Sequence, residues 1–584
     1  MNLRQSPLAS SPARWVQRYI GLILQLLWAR QRNMARSALD RQGIEPKMTF
    51  AMDRRRALRL MTSGLAATAV LGPMPGFATG LLSAFTQSLA EAAADQEVIA
   101  VFYRDHDYAT LWTGPADADR RRALLSAFDM ARAHGLPVQR YDPVQLRAQF
   151  SAAQTEGDLG RLEVEMSKAY LAFVRDLASG ALVPSTVSAD IKREIVRPDP
   201  ALALVAATSP DFAVYLDELA PMAPEYARLM KEKFALEAVI AAGGYGAQIT
   251  AEQVNSGETG GAVVQLRDRL MALGYLVGSF SEDYDADIQA AVQRFQLDNG
   301  IEADGIAGES TVVALNVDAG ARLKSVVVAM ERLRWMGNAA LGARHIWVNQ
   351  PDFTVKVYDD GKVTFVSRVV IGKIGPDTES PEFSDQMEFM VINPTWSVPR
   401  SIVVKEYLPM MQRNPNAQGQ LQVLDRSGHV VPRANIDFTA YTANNFPFAL
   451  RQPPEDGNAL GKVKFMFPNP YNIYLHDTPT KSLFAKEVRA FSHGCIRVGS
   501  PFDFAYVLLT PQSDDPKGLF KSYLIGGREA VLDLATPVPV HLVYFTAWPN
   551  EQGAISYRRD IYDRDAKVFA ALAEAGVVLQ GVQS

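Results

Sequence analysis

The chain contains a single cysteine, Cys495, and two histidines stand near it in sequence. The stretch Ser492-His493-Gly494-Cys495-Ile496-Arg497-Val498 follows Tyr474-Leu475-His476-Asp477-Thr478-Pro479, with fifteen residues, 477–491, between His476 and Ser492. The nucleophilic form of cysteine is the thiolate, and a free cysteine is only a few per cent ionised near neutrality. A base within hydrogen-bond reach removes that limit. If the strand 472–476 lies beside the segment that holds Cys495, His476 can act as that base. Gly494 permits a tight backbone just ahead of the nucleophile. The N–H groups of His493, Gly494 and Cys495 can then converge on a developing oxyanion, each such donor being worth roughly 3–4 kcal/mol in acyl transfer.

Three other chemistries compete for the same residues. His476 and His493 can be satisfied structural histidines around a small, inert core cysteine. His476, His493, Asp477 and Cys495 are all metal-ligand types, although the alternate residues His493 and Cys495 make a poor chelate and no Cys-x-x-Cys pair supports them. A cysteine peptidase dyad of another fold uses the same two side chains.

The segments that must position these residues alternate with a strand period. Ile346-Trp347-Val348-Asn349 and Thr354-Val355-Lys356-Val357-Tyr358 flank the hairpin-type turn Asp359-Asp360-Gly361-Lys362,. Val363–Val366, Val369–Ile371 and Phe389–Ile392 continue the pattern, and the last leads into Asn393-Pro394-Thr395-Trp396-Ser397-Val398-Pro399,. Residues 403–466 interrupt it with a helical start at Val404–Met411, strained by Pro409, and a polar, Pro-rich remainder. Long insertions of weak pattern commonly pack near a site or act as a lid.

The half before the strands is helical. Arg120–His134 repeats Leu124, Leu125, Phe128 and Ala131 at helical spacing, and Leu162–Leu177 runs up to Gly180,. Thr250–Gly261 reads as a linker. In 260–317, Val263, Leu266, Leu270 and Leu273 form one amphipathic helix, Ile288, Val292 and Phe295 a second, and Thr311–Leu315 a short third.

Near the N-terminus, Asp53-Arg54-Arg55-Arg56-Ala57-Leu58-Arg59 precedes the apolar run Leu60–Leu71 and the small residues of Gly76-Phe77-Ala78. That is the order of a signal peptide, and the paired arginines resemble a twin-arginine signal. The run is shorter than the roughly 20 residues a spanning helix needs. Its depth in the chain suggests an over-extended start, with Met48 or Met52 as the true one. A second run, Ile20–Trp28, flanked by Arg18 and Arg30, is a candidate membrane anchor lying at the bilayer surface,.

The 584 residues are enough for about three to five domains,, and the 48% hydrophobic and 21% charged content is that of a globular protein,. Residues 1–78 hold 12 of the 59 Lys and Arg but only 3 of the 64 Asp and Glu, so the remainder carries a formal charge of −14. A body that acidic, with no basic patch, is a poor nucleic-acid partner. One cysteine excludes an intrachain disulfide.

Two family resemblances follow. Leu266-Arg267-Asp268-Arg269-Leu270, Gly274-Tyr275, Tyr284-Asp285, Ala291-Val292-Gln293-Arg294-Phe295-Gln296, Asp304-Gly305, Gly308, Thr311 and Ala314-Leu315-Asn316 resemble the three-helix peptidoglycan-binding domain. Ser492-His493-Gly494-Cys495-Ile496-Arg497, preceded by His476 at this spacing, resembles the signature of the YkuD-type L,D-transpeptidase catalytic domain. Asn393–Pro399, Phe446-Pro447 and Asn458-Ala459-Leu460-Gly461 are similar to its long, multidomain members, which carry a helical scaffold and a capping insertion.

The resemblance implies a multidomain α+β chain: an N-terminal extension and signal peptide (1–78), a helical scaffold (98–248), a peptidoglycan-binding domain (260–317), a mainly-β catalytic domain (343–545) with a capping insertion (403–466), and a C-terminal tail (546–584). It implies Cys495 as nucleophile, His476 as general base, Ser492 and His493 as supports, and Gly494 as part of the oxyanion hole. Arg497 is then a candidate for gripping a stem-peptide carboxylate, its alternative role being a salt bridge that braces the loop, and Tyr474 and Trp396 are candidate substrate contacts. The implied reaction is a 3→3 cross-link in peptidoglycan, made without metal or organic cofactor in the periplasm, with penem-type β-lactams as acylating inhibitors. L,D-carboxypeptidase action, attachment or release of a protein at the wall, and a non-enzymatic wall-binding scaffold are the other readings. The partners expected are stem peptides and glycan.

Overall fold

The computed structural model describes residues 83–338 and 341–582. The expected export signal and anchor lie outside the described residues. Among the described residues, no helix is long and apolar enough to cross a membrane.

The helical half is organised around α1, Glu156–Ser179. It starts on a reciprocal cap, with the Asp158 N–H donating to Thr155 Oγ1 (3.1 Å) and the Thr155 N–H to Asp158 Oδ2 (3.0 Å), so two otherwise orphaned donors are satisfied,. Leu162, Met166, Tyr170, Phe173 and Leu177 form its buried stripe,. Glu163 is buried in the same helix because protein donors replace water around it: the amides of Trp112 (3.1 Å) and Thr113 (2.9 Å) and the hydroxyl of Tyr103 (2.7 Å),. Helix α2, Pro224–Ala241, completes this region.

The helices α3 (Gly261–Ala272), α4 (Ala286–Asp298) and α5 (Glu309–Leu315) form a small unit around Val263, Leu266, Leu270, Ile288, Val292, Phe295 and Leu315. Chain then enters α6, Ala319–Met336, which packs against α2 and is buried along most of its length, charged residues included.

The second half contains fourteen strands among the described residues: β1 (Arg344–Asn349), β2 (Thr354–Asp359), β3 (Lys362–Gly372), β4 (Phe383–Ile392), β5 (Trp396–Ser397), β6 (Gln422–Leu424), β7 (Ala449–Gln452), β8 (Val463–Met466), β9 (Leu475–His476), β10 (Ala490–Ser492), β11 (Ile496–Val498), β12 (Ala530–Val543), β13 (Ala547–Pro549) and β14 (Ile555–Tyr557). The main sheet runs β10-β3-β11-β9-β8-β4-β12-β1-β2, and β2 also pairs with β3. That pairing joins the ends of the order, so eight strands close on themselves. The enclosed core includes Ile346, Val348, Val355, Val369, Phe465, Leu475, Ile496 and Val498.

The insertion between β4 and β8 has its own three-stranded sheet, β5-β7-β6, and a core of Val398, Ile402, Leu408, Met411, Val423, Phe438 and Leu450. It therefore starts earlier than the expected 403. It also ends earlier than 466, because Val463–Met466 is a strand of the main sheet. Its helix runs from Arg400 to Arg413 with a π-turn at Val403–Tyr407. Pro409 explains the π-turn: in an α-helix its ring would press on the carbonyl of Lys405, and the widened turn relieves that contact.

Of residues 546–584, expected as a tail, those described, 546–582, are part of the fold. β13 and β14 pair, and α7 (Arg564–Glu574) sends Val568 and Leu572 into one core with Val326 and Met330 of α6. Buried charges tie these parts together. Arg332 on α6 meets Glu382 and Asp565 (2.9 Å to the latter), and Arg564 meets Glu379 (3.2 Å) and Glu382 (3.4 Å). Replacing Arg332 by Met should leave Glu382 and Asp565 under-compensated inside the protein, a loss of roughly 3–5 kcal/mol. The urea unfolding midpoint should fall accordingly, and an unchanged midpoint would contradict this role.

Candidate active site

β9 is only two residues long, yet its pairings fix the site. It runs parallel to β11, with Leu475 opposite Ile496 and His476 opposite Arg497. It runs antiparallel to β8, with Phe465 opposite Leu475 and Lys464 opposite His476. Successive side chains in a strand point to opposite faces. Phe465, Leu475 and Ile496 point into the core, so Lys464, His476 and Arg497 form a row on the other face. Tyr474 and Cys495 share that face, one step along each strand.

The turn ahead of Cys495 is built from Ser492. Its hydroxyl donates to the Cys495 carbonyl (2.5 Å) and accepts the Gly494 N–H (3.2 Å). Gly494 sits at φ +106°, a conformation that favours glycine, and a Cβ there would be a tight fit against Ile473 at 3.2 Å,. Its carbonyl accepts from Ser380 Oγ (2.6 Å). The Gly494 N–H, expected in an oxyanion hole, is thus occupied within the turn. Ser492 closes the turn through both of its hydrogen bonds.

His476 is buried, and its Nδ1 lies 2.5 Å from the Asp477 carbonyl. A carbonyl oxygen only accepts, so Nδ1 carries the hydrogen and Nε2 keeps the free lone pair. The orienting group is the Asp477 backbone. The Asp477 carboxylate works elsewhere, accepting from Lys462 N (2.8 Å), Thr478 N (2.7 Å) and Lys481 Nζ (2.6 Å). It lies so close to Gly461, at φ +61°, that a Cβ there would fall 2.3 Å from the carboxyl carbon.

Cys495 is half-buried. Its thiol donates to the carbonyl of Asn472 (3.5 Å), a residue held at φ +55°, and it hydrogen-bonds the Tyr474 hydroxyl. In this resting arrangement the thiol proton points to Asn472, with His476 on the same face one strand away. Burial pushes the Cys495 thiol up to about 11, against the opposing pull of Tyr474, Lys464 and Arg497. Burial, then the charge of Arg497, bring His476 down to about 3. The two groups are therefore a neutral thiol and a neutral imidazole at pH 7.

The remaining expected residues separate. His493 faces the insertion, its Nε2–H donating to Glu406 Oε1 (2.6 Å), which also meets Lys373 Nζ (3.4 Å). Burial works to raise the Glu406 carboxyl, but His493 and Lys373 hold it below its ordinary value. Glu406 lies in the π-turn, so the insertion is tied to the residue two before Cys495. Trp396 is farther out in the insertion, edge-on to Tyr407 at 6.4 Å. Arg497 has no salt bridge among the described residues, so the bracing role is not seen; its Nε is buried without a partner. Among the described residues, no three His, Cys, Asp or Glu side chains converge in a geometry that would hold a metal.

Lys464 and Glu406 were missed in the sequence. Lys464 had a signal: a charged residue between Val463 and Phe465 in a strand must face away from the core,. Glu406 had none.

Residues 343–538 match the L,D-transpeptidase catalytic domain, residues 97–232 the scaffold domain, and residues 259–315 the family described as "Putative peptidoglycan binding domain". The chain carries a YkuD-type L,D-transpeptidase catalytic domain joined to a helical scaffold and a peptidoglycan-binding-type domain. A Haemophilus influenzae protein named "Putative L,D-transpeptidase" is 34% identical over 228 residues, covering 39% of this chain and 45% of that protein. The chain thus spans about half the length of the curated relative it matches. Crystal structures of L,D-transpeptidases from Xylanimonas cellulosilytica and Stackebrandtia nassauensis align at 15% and 16% identity. Each alignment covers 51% of this chain, with 98% and 97% of those chains and TM-scores of 0.15 and 0.20, values that carry no argument.

A thiol with its pKa near 11 leaves a thiolate fraction that grows with pH throughout the working range,. Alkylation of Cys495 by iodoacetamide should therefore accelerate about tenfold per pH unit from about pH 7 to 10. A plateau reached by about pH 8 would show a thiolate already formed in the resting protein.

Proposed function

We propose that this chain is an L,D-transpeptidase that forms 3→3 cross-links in peptidoglycan through a thioester on Cys495. The observation that supports the reading is the register: His476 stands opposite Arg497, two residues after Cys495, and its Nε2 lone pair is free because Nδ1–H is spent on the Asp477 carbonyl.

The thiol turns from Asn472 toward His476, and Nε2 takes its proton as Sγ attacks the carbonyl of the third stem residue, L-Lys or diaminopimelate. The tetrahedral oxyanion faces the N–H groups of His493 and Cys495, the amides of the turn left once Ser492 has taken that of Gly494,. The C–N bond to the terminal D-Ala breaks, and the imidazolium returns its proton to the leaving amine. An amine of a neighbouring stem then attacks the thioester, gives its proton to His476, and the thiol re-forms. Water in place of the amine gives a tripeptide.

Starting from two neutral groups suits this sequence, because a neutral imidazole is ready to accept the proton when attack occurs. No cofactor has a role in these steps. Burial of the carbonyl under the insertion would exclude water and favour the amine acceptor. The three-helix unit supports peptidoglycan as the partner, and wall chemistry of this kind places the protein in the cell envelope. Penem-type β-lactams acylate the same sulfur in this account.

Protein beginning at residue 79, incubated with disaccharide-tetrapeptides, should yield a cross-linked dimer lacking one D-Ala by mass spectrometry. Cys495→Ala should lose all of it. Dimer formation that survives in that variant would overturn the assignment. Tripeptide alone would identify water as the acceptor.

A further inference from the structure

Two cations flank His476, and neither is in salt-bridge contact with a carboxylate among the described residues, although the charge of Glu529 acts on Lys464 from farther away. Lys464 and Arg497 are the direct cross-strand neighbours of His476, one on each side. Lys464 Nζ lies 4.0 Å from the centre of the Tyr474 ring, whose hydroxyl bonds the Cys495 sulfur. Both charges act on Cys495. Both side chains are half-buried, and neither has a carboxylate or another hydrogen-bond acceptor among the described residues.

The nearby acids are committed elsewhere. Glu406 is held by His493 and Lys373, and Glu529 accepts the amide of Thr395. The face of Tyr474 attracts the Lys464 ammonium but accepts none of its three N–H bonds in the way an oxygen does. Other buried cations of this chain find oxygen acceptors: carboxylates for Arg332 and Arg334, and backbone carbonyls for Arg269 and Arg489,. Lys464 and Arg497 depart from that pattern beside the reactive sulfur.

We infer that Lys464 and Arg497 form a two-cation carboxylate clamp astride His476, and that Lys464 is a specificity-determining residue for acyl donors with free carboxylates. The clamp rests on the acyl-transfer reading of Cys495. Neighbouring strands are about 4.8 Å apart, so the two Cα atoms are on the order of 10 Å apart with the imidazole between them. A peptide lying along this row has a carboxylate on each side of the carbonyl under attack. The leaving residue supplies one, at its C-terminus. The acyl side supplies the other, from a residue that keeps a free carboxyl group. The Arg497 fork suits two-pronged binding, and Lys464 supplies a point charge. The donor class is therefore a dianionic stem peptide, with amidated stems disfavoured.

The test separates binding from chemistry. Calorimetry on the Cys495→Ser protein would compare a tetrapeptide stem bearing free carboxylates with its fully amidated form and with the two singly amidated forms. The free acid should bind at least about tenfold tighter than the full amide, as expected for charge-assisted contacts. In the Cys495→Ser background, Lys464→Met should collapse most of that ratio without weakening the amide, and Lys464→Arg should restore it. The singly amidated forms assign one carboxylate to each cation. An acid-to-amide ratio unchanged by Lys464→Met would overturn the clamp. Intact mass of the wild-type protein gives the independent readout. Thioester formed equally from acid and amide would retain the transpeptidase reading and reject the clamp. Carboxylate-dependent binding through Lys464 with no thioester would retain the clamp and reject that reading.

Discussion

Everything at the site depends on the register of one short parallel pair. Leu475–His476 lies against Ile496–Arg497, and because side chains alternate, placing Leu475 and Ile496 in the core forces His476 and Arg497 outward together,. A slip by one residue would turn the imidazole into the apolar core and Leu475 to the opposite face. The hydrophobic effect on two apolar residues thus enforces the placement of two polar ones. Lys464 joins them by the same logic, since Val463 and Phe465 on either side of it are fully buried.

The fine geometry is set by small, fully used polar groups. Ser492 closes the turn that presents Cys495, and Asp477 braces the segment after His476 with three hydrogen bonds while its backbone orients the ring. Glycine is needed at Gly461 for its close approach to Asp477 and at Gly494 for its positive φ. Support extends outward from there. Ser380 holds the Gly494 carbonyl, Arg564 holds the Ser380 carbonyl (2.8 Å), and Arg564 shares Glu382 with Arg332 on α6. A continuous polar path therefore links the turn before Cys495 to the helical half, and it runs through the C-terminal α7.

The sequence made much of this legible and left specific parts hidden. The stretch from His476 to Cys495 carried the resemblance to the catalytic domain that residues 343–538 match, and periodicity pointed to the helical half, the three-helix unit and the strands. What failed to appear was anything decided by contacts distant in sequence. Residues 546–584 read as a tail because α7 finds its partners on α6, more than 200 positions away. The partner of His493 could not be read, because Glu406 sits in an insertion without pattern. The Gly494 amide was assigned to the oxyanion from its position, but Ser492 competes for it across only two residues. Lys464 was readable from strand alternation alone, and its neighbours in space explain why it matters.

The central claim is that Cys495 carries the acyl group of the donor. Wild-type protein mixed with a stem tetrapeptide, quenched in acid within the first turnover and digested, would place any adduct by peptide mapping. The account predicts a tripeptidyl thioester on Cys495 alone, with free D-Ala released in equal amount. An adduct on another residue, or D-Ala released while Cys495 is blocked, would contradict it.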